Sequence, residues 1–107
     1  MKRNNEKYFP KEYQNGTRVL WGKAVERQLA RLPAQISEKF DAWVFAVTIA
    51  GIRKVRMRPG LHDEPLKGNW AGSRSVRLSR SYRVIYQERD SEKMQVIEVT
   101  EVSKHAY

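Results

Sequence analysis

Arg83 is the residue that first suggests chemistry. It sits within Tyr82–Gln87, a stretch that is otherwise almost wholly apolar and so suits a strand in the middle of a sheet. A charge there is costly unless it is paired or faces a groove. Two readings are open: Arg83 pairs with a carboxylate such as Glu98 or Glu101, or it points into open space. Arg77 precedes it across the Ser79–Ser81 turn. Antiparallel pairing across that turn would put both guanidiniums on one face, where they repel unless an anion lies between them. A phosphodiester suits that place, because a guanidinium donates paired hydrogen bonds to phosphate oxygens. His105, beside Tyr107, is a side chain that can take and give a proton near neutrality, or else a solvated tail residue. Glu64 adds a carboxylate, or only a surface charge. Together these types match one reaction, RNA cleavage by the ribose 2′-hydroxyl. It needs a base, cations on the crowded phosphate and an acid for the leaving oxygen.

Other chemistries lack their residues. There is no cysteine, and only His62 and His105 could act as imidazole ligands, without zinc-type spacing. No carboxylate cluster for two metals, phosphate-binding glycine loop or nucleophile elbow appears. No metal and no cofactor is expected. No apolar run approaches the roughly 20 residues of a membrane span, and Met1–Gln14 is too polar for a secretory signal. The expectation is a cytoplasmic protein without membrane contact. The formal net charge is +9, from 21 Lys and Arg against 12 Asp and Glu. Arg53 to Arg83 holds nine of those cations and only Asp63 and Glu64 as acids, hence +7. Such a cluster is the footprint of a polyanion partner, or of a solvated basic face.

These residues need a scaffold, and the hydrophobic pattern supplies one. Residues 1–15 read as a polar arm, with Tyr8, Phe9 and Tyr13 as possible anchors, and residues 16–107 as a single domain. Thr17–Trp21 reads as a strand. Lys23–Leu32 carries Ala24, Val25, Leu29 and Leu32 at helical spacing and stops at Pro33. A second helix spans Ala34–Ala50, with Ile36, Phe40, Trp43, Val44 and Val47 on one face and Gly51 as its cap. Ile52–Arg58 fits either one more helical turn or a loop. Pro59, Gly60, Pro65, Gly68 and Gly72 mark a long loop, a common place for function. Three strands follow: Arg74–Leu78, Tyr82–Gln87 and Met94–Val102, the last pair joined by a turn at Asp90–Lys93. In the last strand, strict alternation sets Ile97 and Val99 on one side and Val96 and Val102 on the other. The order β-α-α-β-β-β predicts an α+β domain, with a helical hairpin over an antiparallel meander.

With these elements in place, Gly60–Trp70, Arg74–Leu78, Tyr82–Tyr86, Glu98–Val99 and Lys104–Tyr107 together resemble the RelE/ParE toxin superfamily, mRNA interferase branch (RelE, YoeB, YafQ and HigB-like). The resemblance covers about residues 17–107. It implies a small twisted antiparallel sheet packed against an N-terminal helical hairpin. It also implies a type II toxin, a metal-independent endoribonuclease cutting mRNA in the ribosomal A site, held inactive by a cognate antitoxin. Carried over by position, Glu64 matches a catalytic glutamate of YoeB-like toxins. Arg77 and Arg83 match phosphate-contacting residues, His105 a C-terminal catalytic histidine, and Tyr107 the aromatic residue beside it. Lys67 matches a basic position of the same loop, and Arg53, Lys54, Arg56, Arg58, Lys67 and Arg74 are expected to hold RNA or the ribosome, including 16S rRNA. Two features depart from the pattern: Ala106 separates His105 from Tyr107, and Arg53, Lys54 and Arg56 only loosely parallel the lysine pair of RelE. A ParE-like gyrase inhibitor, a non-catalytic basic nucleic-acid-binding module and a degenerate toxin are the competing readings.

Overall fold

A computed structural model describes residues 17–90 and 94–104; the arm at 1–15, the turn residues 91–93 and the end at 105–107 lie outside them. The chain runs β1 (Thr17–Trp21), α1 (Lys23–Ala30), α2 (Ala34–Ala50), α3 (Ile52–Arg56), β2 (Glu64–Pro65), β3 (Arg74–Arg77), β4 (Tyr82–Asp90) and β5 (Gln95–Lys104). One-turn 3-10 helices at Pro59–Leu61 and Gly68–Trp70 shape the long loop. Pro33 separates α1 from α2, as its missing N–H requires. Gly51 ends α2 at φ 90°, a conformation that favours glycine. The chain then makes one further helical turn, α3, whose first amide, that of Ile52, donates to Gln95 Oε1 at 3.2 Å.

Among the described residues the strands form one sheet in the order β1-β5-β4-β3-β2. The meander β3-β4-β5 is antiparallel as the short turns predict. Two features were not legible. β1 joins parallel to β5, with Thr17 opposite Gln95 and Trp21 opposite Val99. Glu64–Pro65, expected as loop, pairs antiparallel with Arg74–Ser75.

The helices cover one face of the sheet. Val25 of α1, and Ile36, Phe40, Trp43, Val44 and Val47 of α2, pack on Val19, Trp21, Val76, Val84, Tyr86, Ile97, Val99 and Val102. An aromatic row crosses this core: Trp21 meets Phe40 edge-on at 5.4 Å, and Trp43 meets Tyr86 at 5.6 Å. Strict alternation misplaces Val102, which shares the core face with Ile97 and Val99. The reason is a β-bulge: Ile85 faces Glu101 whereas Tyr86 faces Val99, so Thr100 is the extra residue. β1 pairs with β5 only as far as Val99. Beyond it, Gln28 of α1 takes over and accepts the Val102 amide at 2.8 Å.

The bulge generates a test. Val102→Lys puts an unpaired charge in the core and should cost about 4 kcal/mol or more. Val96→Lys, at a partly exposed position, should cost about 1 kcal/mol. Urea denaturation of both variants checks this. Equal losses would mean that the strand alternates without a bulge.

Candidate active site

The face of the sheet away from the helices carries the predicted residues. Arg77 stands directly opposite Arg83 across β3 and β4, and Arg83 in turn opposite Ser103 of β5. The neighbouring transverse row is Glu64, Ser75, Ile85 and Glu101. Directly paired residues share a face, and rows are two residues, or about 7 Å, apart. Glu64 is therefore one row from the arginine pair on the same face, and it is exposed.

The two readings of Arg83 now separate. Glu98 is engaged by Arg89 at 2.6 Å, and Glu101 accepts from Ser103 Oγ at 2.7 Å. Arg83 instead donates through Nη1 to Ser75 Oγ at 3.4 Å, a long contact. The Nε atoms of both Arg77 and Arg83 are buried without a hydrogen-bond partner. Like charges directly opposite destabilise a sheet, and among the described residues no carboxylate pairs with either one.

The other basic positions divide into two groups. Arg53, Lys54, Arg58 and Lys67 are exposed. Arg56 and Arg74 are not free cations. Arg74 Nε donates to Asp63 Oδ1 at 2.6 Å, and Arg56 pairs with Glu88 and lies 3.9 Å from Asp63. Both are thereby tied into the scaffold. His105 and Tyr107 lie outside the described residues. Among the described residues, no three His, Cys, Asp or Glu side chains gather into a metal-ion site.

Sequence reasoning missed the anchor of this face. The Asp63 side chain is 1% exposed and accepts hydrogen bonds from Arg74 Nε and from Tyr86 Oη, each at 2.6 Å. Arg74 and Tyr86 face each other in register on the helix side of the sheet. Asp63 thus reaches under the sheet edge while Glu64, the next residue, lies exposed on the opposite face. His62, just before, takes a left-handed conformation at φ 47°, which few non-glycine residues adopt. One signal was available: a tyrosine in a central strand needs a partner for its hydroxyl, and Asp63 is the acid in the adjoining loop.

The architecture is the fold of the RelE/ParE toxins. Solved structures that share it include a YoeB/ParE toxin from Agrobacterium tumefaciens, 23% identical, with TM-score 0.64 over 82% of this chain and 98% of the other. The archaeal RelE–RelB complex from Pyrococcus horikoshii is 24% identical, with TM-score 0.63 over 83% and 94%. The heterotetrameric YoeB–YefM toxin–antitoxin complex from Staphylococcus aureus is 16% identical, with TM-score 0.61 over 85% and 98%. No family model and no curated protein matches the sequence.

Burial raises the Tyr86 phenol pKa first of all; the bond to Asp63 and its charge add to this, and Arg56 opposes it. A phenol held neutral in the fold contributes stability that is fully present below its unfolded value near 10. That stability falls as pH rises from there towards the higher folded value. Tyr86→Phe should cost about 1.5–3 kcal/mol at pH 7, the worth of a hydrogen bond to a charged group. The difference from the parent should then shrink above about pH 10. Asp63→Ala should cost about 3 kcal/mol, at the low end for a buried pair because Arg56 and Arg74 stay about a quarter exposed (22% and 24%). Melting curves across pH check both; a Tyr86→Phe difference that is constant with pH would contradict this account.

Proposed function

We propose that the chain is the toxin of a type II toxin–antitoxin pair and cuts mRNA on the ribosome. The observation that carries this reading is the facing pair Arg77 and Arg83, without a carboxylate and one row from Glu64. In the reaction, the ribose 2′-oxygen attacks the adjacent phosphorus. The O2′–P bond forms, the P–O5′ bond breaks, and the products are a 2′,3′-cyclic phosphate and a 5′-hydroxyl. Arg77 and Arg83 hold the phosphoryl oxygens as negative charge grows on them. Glu64 and His105 exchange the two protons, one taken from the 2′-hydroxyl and one given to the leaving 5′-oxygen. Tyr107, two residues after His105 in sequence, belongs to the same proposed set. Only side chains are needed, so no metal takes part in this scheme. The exposed Arg53, Lys54, Arg58 and Lys67 supply the salt-dependent grip on ribosomal RNA.

The partner proposal rests on the toxin–antitoxin complexes of similar fold and on a cationic cleft away from the arginine pair. That cleft, of about 590 Å³ between α1 and the ends of β4 and β5, brings Arg27, Arg31 and Lys104 beside Leu32, Tyr82 and Val102. It suits an acidic, amphipathic antitoxin segment. A ribonuclease that acts on translating ribosomes must be restrained in the cytoplasm, which is the compartment this reading requires.

Induced expression should arrest growth and leave translated mRNA with new 5′-hydroxyl ends. Cleavage by purified protein on ribosomes should be indifferent to chelator at magnesium levels that keep ribosomes intact. Arg83→Ala should lower the cleavage rate about 10²–10³-fold while ribosome association persists. His105→Ala should lose about 10²–10⁴-fold. Growth arrest with intact mRNA and gyrase-dependent DNA damage would instead identify a gyrase inhibitor. Folded Arg83→Ala and His105→Ala variants that remain fully toxic would remove this face from the chemistry.

A further inference from the structure

A cavity where β2 leaves the edge of β3 unpaired shares Arg77 with the reaction above and is otherwise unused by its chemistry. It measures about 260 Å³ and lies between α2, the Pro59–Leu61 turn and the end of β3. Its charged lining is Lys39, Arg58 and Arg77, with no acid among the lining residues. Its apolar part is Trp43, Leu61 and Leu78. Trp43 is 3% exposed, and its indole N–H is buried without an acceptor; Arg77 Nε is in the same condition. Every charged or unpartnered polar group named here is thus a donor, set against an apolar wall.

Such a lining selects its ligand. It calls for a small molecule that is flat and apolar in part, rich in acceptors and negatively charged. A nucleotide has all of these properties: a base with ring nitrogens and carbonyl oxygens, joined to phosphate. The volume lies below the roughly 300–1,000 Å³ of sites for drug-sized ligands, so it admits one base. Arg77 belongs both to this cavity and to the facing pair with Arg83. A base in the cavity would therefore have its own phosphate beside Arg77, the member of the pair that lines it. We propose that this cavity is a nucleotide subsite that holds one base of the RNA next to the phosphate held by Arg77 and Arg83, and so sets sequence preference at the cut. The inference rests on the ribonuclease reading for its biological meaning, but nucleotide binding can be measured without cleavage.

The test titrates the full chain calorimetrically with the four nucleoside 3′-monophosphates, inorganic phosphate and a short polyglutamate peptide. At least one nucleotide should bind ten or more times tighter than inorganic phosphate. Trp43→Phe, which keeps the aromatic ring but removes the indole donor, should reduce that preference at least threefold. Trp43 is in the core, so Lys39→Glu, at an exposed position on α2, provides an independent variant and should reduce it as well. Both should alter which positions in mRNA are cut. The proposal is overturned if no nucleotide outcompetes inorganic phosphate. It is equally overturned if folded Trp43→Phe and Lys39→Glu leave the preference unchanged, or if polyglutamate binds as tightly as the best nucleotide and displaces it, which would make the cavity a peptide site. Binding as stated without any cleavage on ribosomes would retire the ribonuclease reading and leave the nucleotide site standing. Cleavage with an unchanged pattern in both variants would do the reverse.

Discussion

The face that carries the arginine pair depends on one buried carboxylate on the other side of the sheet. Asp63 takes hydrogen bonds from Tyr86 and Arg74 and sits near Arg56, which is itself held by Glu88. These contacts join the end of the long loop to two adjacent strands and to α3. A buried acid is tolerated only when it is paired and hydrogen-bonded, and Asp63 has both kinds of partner. Because neighbouring strand residues point to opposite faces, fixing Asp63 beneath the sheet also fixes Glu64 above it. The pairing of Glu64 with Ser75 and of Pro65 with Arg74 then follows from this anchor.

The two faces of the sheet solve opposite problems. The helix side is closed by aromatic and branched side chains, and side-chain amides serve polar groups along it: Gln28 accepts the Val102 amide, and Gln95 serves both Thr17 and Ile52. The other side places two arginines against each other and leaves their Nε atoms without partners. Natural sequences keep such local conflicts mainly where a ligand resolves them. The core and the Asp63 network hold β3 and β4 together despite the conflict.

Much of this was legible because the responsible signals are local. Helix periodicity, Pro33 and Gly51 fixed the hairpin, and the Ser79–Ser81 turn between two strand patterns was enough to bring Arg77 opposite Arg83. What could not be read depends on distant partners. The parallel docking of β1 beside β5 joins residues 78 positions apart, as between Thr17 and Gln95, and no periodicity encodes that. The bulge at Thr100 leaves no glycine or proline as a marker, so alternation was carried one residue too far. Arg56 and Arg74 were grouped with RNA-facing cations because a sequence gives charge but not its partner. The same blindness hid Asp63, whose role exists only once Tyr86 and Arg74 are adjacent.

The place of β5 has a consequence for synthesis. The last strand along the described chain is not at an edge of the sheet but between β1 and β4. Until it emerges from the ribosomal exit tunnel, β1 has no strand beside it and β4 is paired on one side only. The polypeptide then holds a hairpin of helices and a fragment of sheet, and these contacts of long sequence separation close last. The arginine pair gains its third neighbour, Ser103, only at that moment. Maturation of this face thereby waits for β5, and any partner that recognises the completed sheet meets its target only once that strand is in place.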